Sequence, residues 1–440
     1  MLNVKFFKQQ YLEILYKMLD IKLLRENREE VITNLQKRIG YDTSIVNEVL
    51  KLDEDWRAIK QELDILKSEK NKESKAIAEV KKAGGDIQGQ LAKVKEVADK
   101  ITDKEKKEKE ALHKRDEVLI TIPNMLDVEV PVGGDDEDNK PIKFHKEKPQ
   151  FSFTPKSHEE LCELNEWFDL ERAAKTSGSR FYYLKGDLVL LQLGLYQYVI
   201  SKLAQKNYTP IEVPPMLKRE VLGASVPLED FEEVIYKIEN EDLYLIGTSE
   251  HALAAMHQND TISHKELPLK YVGISPCFRK EAGVTKDSKG IFRVHNFNKL
   301  EQFVFSKPEE SDKYHEEITQ NAEDIFQELE LHYQIVDICT GDLGAMATRK
   351  FDLEAWLPSQ KRYREMVSAS NYRDFGARRL NCRYQTPDGK IELVHTLNST
   401  AIALTRGIIA IIEQHQLENG NVKVPKVLVP FIGKEILGKN

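Results

Sequence analysis

Residues 277–301 read CFRKEAGVTKDSKGIFRVHNFNKLE, and this stretch decides how the larger part of the chain folds. The apolar segment YVGISPCF leads into it, and two glycines bound a lysine-rich loop, which together predict two antiparallel strands joined by a hairpin. Because alternate residues of a strand share a face, Arg279 and Glu281 are expected to point the same way. The return strand is expected to add four residues of equal parity to that face: Arg293, His295, Phe297 and Glu301.

The expected face gathers two guanidinium groups, two carboxylates and an aromatic ring, which suits a nucleotide site built on a sheet. Guanidinium groups match phosphate oxygens with a rigid fork of donors and a permanent charge. Phe297 offers a flat surface for a base, and Glu301 could hold an ammonium group. Charged residues that alternate along a hairpin also form ordinary solvated sheet faces, so the two residues Arg279 and Glu281 alone leave both interpretations open.

The composition of the 440 residues limits the classes of protein. A net charge of −8 argues against general nucleic-acid binding, although residues 1–120 are nearly balanced, with 26 basic and 24 acidic side chains. Four cysteines stand far apart without a Cys-x-x-Cys pair, which fits a reducing cytosol and gives no support for zinc. No apolar run approaches the ~20 residues of a membrane span, and the start lacks a secretion signal. We therefore expect a cytoplasmic protein of two or more domains without membrane contact.

Residues 18–120 predict a long helical hairpin. Apolar residues recur at alternating spacings of four and three over residues 45–66 and again over 87–119, which indicates the seam of a coiled coil. The pattern breaks at Gly84 and Gly85, so the two helices should fold back as an antiparallel pair of roughly 50 Å or more. Most charges outside the seam are expected to form a solvated face. A lysine-rich subset near the distal end is a candidate for contact with RNA phosphates: Lys81, Lys82, Lys93 and Lys95.

A segment rich in Pro, Gly and Asp, residues 121–150, is expected to link the helical part to residues 151–440. In residues 151–440, short β-branched segments alternate with helical ones, which predicts an antiparallel sheet with flanking helices. A Walker loop and a GxGxxG fingerprint are both absent, so ATP binding at the N-terminus of a helix is not indicated.

The hairpin pattern Phe-Arg-x-Glu, a basic loop, then Arg-Val-His-x-Phe-x-Lys-x-Glu resembles motif 2 of the class II aminoacyl-tRNA synthetases, and of the seryl branch in particular. Motif 2 falls at about residues 271–304. The resemblance implies an α+β fold with two parts. Residues 18–120 would form an N-terminal antiparallel two-helix coiled-coil arm that binds tRNA, and residues 151–440 a class II catalytic domain, an antiparallel β-sheet flanked by helices.

The other two motifs of the class follow in the order that the resemblance requires. Motif 1 is expected at about residues 187–216, where a helix and a strand lead to Pro214, and Asn207 stands where the family usually has Gly. Motif 3 is expected at about residues 395–416 and supplies Arg406 on a largely apolar helix. Taken alone, Arg406 would equally suit the rim of a core helix, with its head reaching water.

Three further stretches resemble the seryl branch. GTSEH places Thr248 and Glu250 where a strand meets a helix, like the family's Thr-x-Glu loop, although an N-cap is the ordinary account of Thr248. EMVS resembles the family's Glu-x-x-Ser, and Val367 replaces the small hydroxyl residue usual there. LNST places Thr400 at the family position that binds the serine hydroxyl, with Asn398 close by.

The resemblance implies ATP-dependent attachment of L-serine to tRNA(Ser) through a seryl-adenylate, with ATP as substrate, Mg²⁺ as cofactor and no zinc. It also implies a homodimer, and it leaves open whether tRNA(Sec) is charged as well. The implied site residues fall into overlapping groups. The catalytic group comprises Arg279 at the α-phosphate, Glu281 on the adenine side, Arg293, and Arg406 at the γ-phosphate. The serine-binding group comprises Thr248, Ser249, Glu250, Glu301, Asn398 and Thr400. The ATP-binding group comprises Arg279, Lys280, Glu281, Phe297 stacked on adenine, Glu365, Met366, Val367, Ser368 and Arg406, with Mg²⁺ at Glu365 and Ser368.

Other interpretations remain at this point. A synthetase-like enzyme could load a carrier protein instead of tRNA, but the heptad hairpin argues against it. An inactive relative that only binds RNA is disfavoured by the presence of Arg279 and Arg406. The helical hairpin could also serve dimerisation alone. Residues 1–17 are expected to be an N-terminal extension or the product of an early start, since Met18 begins a stretch that looks like a family N-terminus.

Overall fold

A computed structural model describes residues 19–82, 84, 86–225, 234–281 and 290–439. The chain divides into two compact units, the first ending at Pro123 and the second beginning at Asn124, with Lys37–Ile39 grouped with the second. The predicted extension and the loop at residues 282–289 of the hairpin lie outside the described residues.

The described part of the first unit is helical, and its two long helices confirm the predicted coiled-coil arm. Leu63 and Leu66 pack against Ile101, as the heptad spacing requires, and against Val97, which the spacing does not include. Leu91 belongs to the apolar spacing over residues 87–119 but is 49% exposed in the first turn of the second long helix. The longest helix has 39 residues and therefore spans about 60 Å. The four helices are α1 (Ile21–Glu26), α2 (Arg28–Leu35), α3 (Ser44–Lys82) and α4 (Gln88–Leu119).

A buried carboxylate, Asp53, ties three of these helices together. Its oxygens lie 2.6 Å from Arg25 of α1, 3.2 Å from Arg115 of α4 and 3.0 Å from Arg57 one turn along α3. Burial opposes ionisation of Asp53, but the guanidinium groups outweigh it, so the pKa of the carboxyl lies below its usual value. The apolar spacing did not predict this charged cluster, because Asp53 lies beside the apolar seam of the coiled coil and is not part of it.

The second unit is built around one eight-stranded sheet, which confirms the predicted fold class. Every neighbouring pair is antiparallel except β4 (Thr209–Glu212) with β8 (Leu269–Phe278), which run parallel. The chain between these two strands is long enough for the crossover connection that a parallel pair requires. The strand order is β1-β10-β11-β12-β15-β9-β8-β4. These strands are β1 (Lys140–His145), β4 (Thr209–Glu212), β8 (Leu269–Phe278), β9 (Asn296–Ser306), β10 (Tyr333–Asp337), β11 (Arg349–Leu357), β12 (Arg362–Arg373) and β15 (His395–Ala403).

Helices and short strands cover this sheet. The minor strands are β2 (Phe168–Asp169), β3 (Tyr183–Leu184), β5 (Met216–Leu217), β6 (Tyr244–Leu245), β7 (Thr261–Ser263), β13 (Arg383–Gln385), β14 (Ile391–Leu393), β16 (Val422–Lys423) and β17 (Ile436–Leu437). The helices are α5 (His158–Leu164), α6 (Leu170–Ser177), α7 (Asp187–Gln205), α8 (Arg219–Ser225), α9 (Ser249–Ala255), α10 (Ser311–Glu328), α11 (Phe375–Leu380), α12 (Leu404–Gln414) and α13 (Val429–Ile432).

Two close approaches explain particular residues on the sheet. Gly273 of β8 lets α9 lie against the strand, since a Cβ there would stand 2.7 Å from Leu253 and 2.8 Å from Ser249. Gly407 does the same for α12, because a Cβ would meet the Ile402 side chain at 2.6 Å. Helix α12 is therefore seated directly on the strand that precedes it.

Besides one at Ile142 between β1 and β10, three β-bulges interrupt the regular alternation of the sheet. In each, one residue lacks a cross-strand partner: Met366 between β11 and β12, Tyr372 between β12 and β15, and Ala401 between β15 and β9. A bulge re-aims the side chains next to it and is frequent beside active sites. All three bulges lie on the strands that carry the predicted ATP and serine residues.

Asn207, between the helix and the strand of motif 1, has a φ of +65°, in the left-handed region that glycine enters most easily. Asparagine tolerates that conformation better than most residues, which explains how it can stand where the family usually has Gly. Among the described residues, no helix is both long enough and apolar enough to cross a bilayer.

Candidate active site

The hairpin forms, but its strands are shorter than the sequence suggests. Strand β8 ends at Phe278 and β9 begins at Asn296. Arg279 and Glu281 therefore lie beyond the first strand, and Glu281 has a φ of +39°. The expectation that six residues share a strand face by parity is wrong for these two and for Arg293 and His295, which precede β9. The register is regular within β9, so Phe297 and Glu301 do share a face.

A cleft nevertheless brings many of the predicted residues together. The residues directly after β8, the β12 bulge and the start of α12 converge on it. Its lining residues are Arg279, Glu281, Phe292, Val294, Phe297, Lys299, Glu365, Met366, Thr400, Ala403, Thr405 and Arg406. Glu365 and Met366 are adjacent in the chain and both line the cleft, which regular alternation forbids and the bulge at Met366 permits.

Arg406 lies at one end of this cleft and is held in place from two sides. Its Nη1 donates to the Glu365 carbonyl oxygen at 2.9 Å and lies 3.3 Å from Glu365 Oε1. The face of Phe292 lies beneath two guanidinium groups, with Arg364 at 4.2 Å and Arg406 at 4.8 Å from the ring centre. Desolvation opposes ionisation of Glu365, but nearby cations, Arg406 foremost, outweigh it and lower the pKa of the carboxyl.

The hairpin supplies the middle of the cleft. The Arg279 guanidinium lies 5.3 Å from the centre of the Phe297 ring, and its Nε donates to the Gly247 carbonyl oxygen at 3.3 Å. Glu281 lies 3.6 Å from the Arg293 guanidinium. These contacts place a cation and a flat ring side by side, which suits a phosphate and a base.

His295, which the parity argument placed on the functional face, takes a structural position instead. Its Nδ1 lies 2.8 Å from the Tyr236 hydroxyl and 3.0 Å from the Arg279 carbonyl oxygen, and its ring stacks on Phe181 at 5.0 Å. The imidazole therefore braces the backbone of Arg279.

The other end of the site is a buried polar cluster. Thr400 and Glu301 face each other across β15 and β9. The Asn398 amide donates to both acidic residues, at 2.9 Å to Glu250 Oε2 and 3.1 Å to Glu301 Oε1. Tyr372, on a bulge, donates its hydroxyl to Glu250 Oε1 at 2.8 Å.

Glu250 is electrostatically unusual. Its burial, with the carboxylate of Glu301 nearby, raises its pKa to about 7, against an ordinary value of 4.5. Glu250 is therefore partly protonated at neutral pH. A ligand with a positive charge would favour the ionised form.

The residues of the Thr-Ser-Glu segment differ in role. Thr248 caps α9, since its hydroxyl accepts from the Glu250 backbone N–H at 3.3 Å, and it is also 3.4 Å from Lys299 Nζ. The ordinary N-cap account and a place in the pocket therefore hold together. Ser249 is fully buried and donates to the Gly273 carbonyl oxygen at 3.3 Å, so its side chain faces the sheet rather than the cleft.

The other predicted ATP-binding residues lie on the sheet and directly after the end of β8. Val367 packs in the core and its side chain does not line the cleft. Ser368 lies opposite Asp352, whose buried Oδ1 has no hydrogen-bond partner. Lys280 donates its backbone N–H to the Val234 carbonyl oxygen at 2.9 Å.

Four residues near the site escaped the sequence argument: Phe292, Lys299, Asp352 and Tyr372. Lys299 had a usable signal, because it has the parity of Phe297 and Glu301 in the quoted motif. Tyr372 had none, since only the bulge turns it toward Glu250.

The second unit combines a largely antiparallel sheet, this hairpin with its converging arginines, and an arginine-bearing helix seated on β15. Together these features define a class II aminoacyl-tRNA synthetase core. The model of the tRNA synthetase class II core domain (G, H, P, S and T) matches residues 233–415, and that of the seryl-tRNA synthetase N-terminal domain matches residues 18–126. The chain belongs to the seryl-tRNA synthetase family.

Its relatives match over nearly the whole length. The serine–tRNA ligase of Pyrococcus horikoshii is 49% identical, covering 96% of this chain and 98% of its own, and that of Thermoplasma volcanium is 44% identical, covering 96% and 100%. The crystal structure of seryl-tRNA synthetase from P. horikoshii complexed with ATP has a TM-score of 0.91 at 47% identity, covering 96% of this chain and 100% of its own. The cytoplasmic serine–tRNA ligase from Naegleria fowleri in complex with AMP gives 0.86 at 35% identity, covering 97% and 100%.

Proposed function

We propose that this chain is a serine–tRNA ligase that activates L-serine with ATP and transfers the seryl group to tRNA(Ser), releasing AMP and pyrophosphate. The observation that carries the proposal is the junction of two sub-sites within one sheet. Thr400 and Lys299 line the arginine-bearing cleft and also belong to the buried cluster of Glu250, Glu301 and Asn398. A serine bound to that cluster would present its carboxylate to the phosphate-binding end.

The amino-acid sub-site suits serine for chemical reasons. Glu301 and Glu250 would hold the ammonium group, and Thr400 would bond the hydroxyl, with Asn398 fixing the two carboxylates. Alanine would leave buried polar atoms without partners, which a site of this kind rejects strongly. Threonine must be excluded by size, a weaker filter worth ~1–3 kcal/mol per methyl-sized group.

The first step joins two anions, so catalysis consists mainly of positioning and charge neutralisation. The serine carboxylate oxygen forms a bond to the α-phosphorus while the bond from that phosphorus to the bridging oxygen breaks, and pyrophosphate leaves. Arg279 would neutralise the α-phosphate, Phe297 would stack on adenine and Arg406 would hold the γ-phosphate. No general base is needed, because the nucleophile is already ionised. In the second step the 3′-hydroxyl of the tRNA takes the seryl group and AMP leaves.

Glu365, Ser368 and Asp352 are the residues that would hold Mg²⁺. Carboxylate and hydroxyl oxygens are its preferred protein ligands, and the buried Oδ1 of Asp352 has no hydrogen-bond partner. When bound, the ion would neutralise the charge of the leaving pyrophosphate. Within the described ranges, no three His, Cys, Asp or Glu side chains cluster as a metal site would require.

Pyrophosphate exchange with each of the twenty amino acids tests the activity. Serine alone should support rapid exchange, and alanine and threonine should remain far below it. Exchange that depends on another amino acid would refute the seryl assignment.

We also propose that the arm grips tRNA through its distal lysines. Lys81, Lys82 and Lys95 are exposed, whereas Lys93 pairs with Glu73. The double variant Lys81→Ala/Lys82→Ala should raise the KM for tRNA and weaken its salt dependence, with serine-dependent exchange unchanged. The matched control, Lys106→Ala/Lys107→Ala, removes two exposed charges far from the turn and should leave the KM for tRNA unchanged. If both double variants raise the KM for tRNA equally, the arm attracts tRNA through its overall charge and not through specific contacts of the distal lysines.

Removal of residues 45–110 separates the roles of the arm. Loss of tRNA charging with exchange retained is expected, whereas loss of the dimer would favour the dimerisation role. Charging assays with tRNA(Sec) transcripts decide whether this second tRNA is a substrate.

A homodimer through motif 1 is the proposed assembly. Leu190 and Leu193 of α7 are 40% and 57% exposed, which is unusual for apolar side chains on one helix unless a partner covers them. Leu193→Glu should shift the sedimentation coefficient toward a monomer. An unchanged coefficient would place the dimer contact elsewhere.

A further inference from the structure

Lys299 is a buried lysine inside the amino-acid pocket. It lies on β9 two residues before Glu301, so both side chains leave the same face of the strand. Its Nζ is 2.5 Å from Glu301 Oε2 and 3.4 Å from Thr248 Oγ1, and its side chain is only 11% exposed. Lys299 also lines the ATP-facing cleft.

When both carboxyl groups of the cluster are ionised, the groups around Lys299 leave the pocket with an excess of negative charge. Two carboxylates, Glu250 and Glu301, face each other across the Asn398 amide, which is neutral and donates to both. The Tyr372 hydroxyl adds a hydrogen bond without charge. Of the residues that the structure describes, Lys299 is the cation in ion-pair contact with this cluster, and its contact is with Glu301.

Arg279 and His251 also lie near the cluster, but neither makes an ion pair with it, although Arg279 favours the ionised form of Glu250 from a distance. Arg279 is directed to the Gly247 carbonyl oxygen and the Phe297 ring. His251 is buried and neutral, because burial lowers the pKa of its imidazole to about 3. Burying two carboxylates against a single cation is costly unless a second cation arrives.

We propose that Lys299 is a positioning residue for the amino acid: its ammonium group fixes the Glu301 carboxylate, and the pair Glu250–Glu301 is left one positive charge short, which the ammonium of serine supplies. The inference rests on the proposed serine-binding function of this cluster. With serine bound, two carboxylates face two cations. Lys299 thus sets both the orientation of Glu301 and the demand of the pocket for a cationic substrate.

The test measures serine and ATP KM values in pyrophosphate exchange for Lys299→Met and Lys299→Arg. Lys299→Met should raise the serine KM at least about tenfold, because Glu301 loses the contact that holds its carboxylate in the geometry that binds the ammonium group. The ATP KM should change by less than about threefold, which corresponds to a free-energy difference of less than about 1 kcal/mol. Lys299→Arg keeps the charge and should recover most of the affinity.

Lys270 offers a matched control on the same sheet. Its side chain is 16% exposed, and its Nζ lies 3.1 Å from Glu317 and 3.0 Å from the Lys206 carbonyl oxygen, outside the pocket. Lys270→Met should lower the Tm without changing the serine KM.

Three results would overturn the inference: a serine KM in Lys299→Met within about twofold of wild type, equal rises in the KM of serine and ATP, or a Lys299→Arg variant no better than Lys299→Met. If Lys299→Met does not fold, Lys299→Arg alone decides, since a rise of more than about tenfold in its serine KM contradicts the inference. Failure of the proposed function itself appears separately, as wild-type protein that gives no serine-dependent exchange.

Discussion

Raising the pH from about 6 to about 8 should lower the KM for serine about tenfold, because Glu250 must lose a proton to bind the substrate ammonium. Burial and the neighbouring Glu301 raise the pKa of Glu250 to about 7. About one tenth of the molecules are then ionised at pH 6 and about nine tenths at pH 8. The sign follows from the charge of the ligand: a bound cation lowers this pKa, so serine binding releases a proton and strengthens as the pH rises. Above about pH 8 the gain should cease.

The assay is serine-dependent pyrophosphate exchange at saturating ATP across this pH range. ATP must be saturating because burial also raises the pKa of Asp352 to about 7, on the phosphate side of the site. Glu250→Gln is the matched control, since its amide keeps the shape and cannot ionise. Its serine KM should be higher and nearly flat with pH. A wild-type KM that is flat from pH 6 to 8, or a Glu250→Gln variant with the wild-type slope, would refute the reasoning.

Three further changes test other contacts. Phe292→Leu removes the ring beneath two guanidinium groups and should raise the ATP KM about two- to fivefold with the serine KM unchanged, and equal rises in both would contradict it. Arg406→Lys loses the fork that bonds the backbone of β12, and kcat should fall on the order of a hundredfold at unchanged circular dichroism. Asp53→Asn breaks buried ion pairs with Arg25 and Arg115 and should destabilise the arm by about 3–5 kcal/mol in thermal unfolding while exchange activity persists. Wild-type stability of the Asp53 variant would show that the cluster is dispensable.

The parts of the fold that the sequence predicted are those with a local signal. Heptad spacing is visible within one helix, and it predicted α3 and α4. Glycines around a basic loop predicted the hairpin between β8 and β9, and the order of the three motifs predicted the class II core.

The rest could not be predicted because it depends on how strands align with one another. An unpartnered residue such as Met366 or Tyr372 reverses the alternation of side chains after it, and nothing in the local sequence indicates which strand will bulge. For Arg279 the parity argument failed for a different reason, because this residue lies past the end of its strand. It would have succeeded for Lys299, where β9 is regular.

The pairing of Thr400 with Glu301 bears on how the choice of amino acid can change over evolution. Directly opposed residues of antiparallel strands keep their Cα atoms about 4.5–5.5 Å apart, and backbone hydrogen bonds along both strands hold that distance. This wall of the pocket cannot widen as a loop can. A descendant that accepts a larger amino acid would need coordinated substitutions on several strands. A single substitution would weaken the binding of serine before it made room for a larger amino acid.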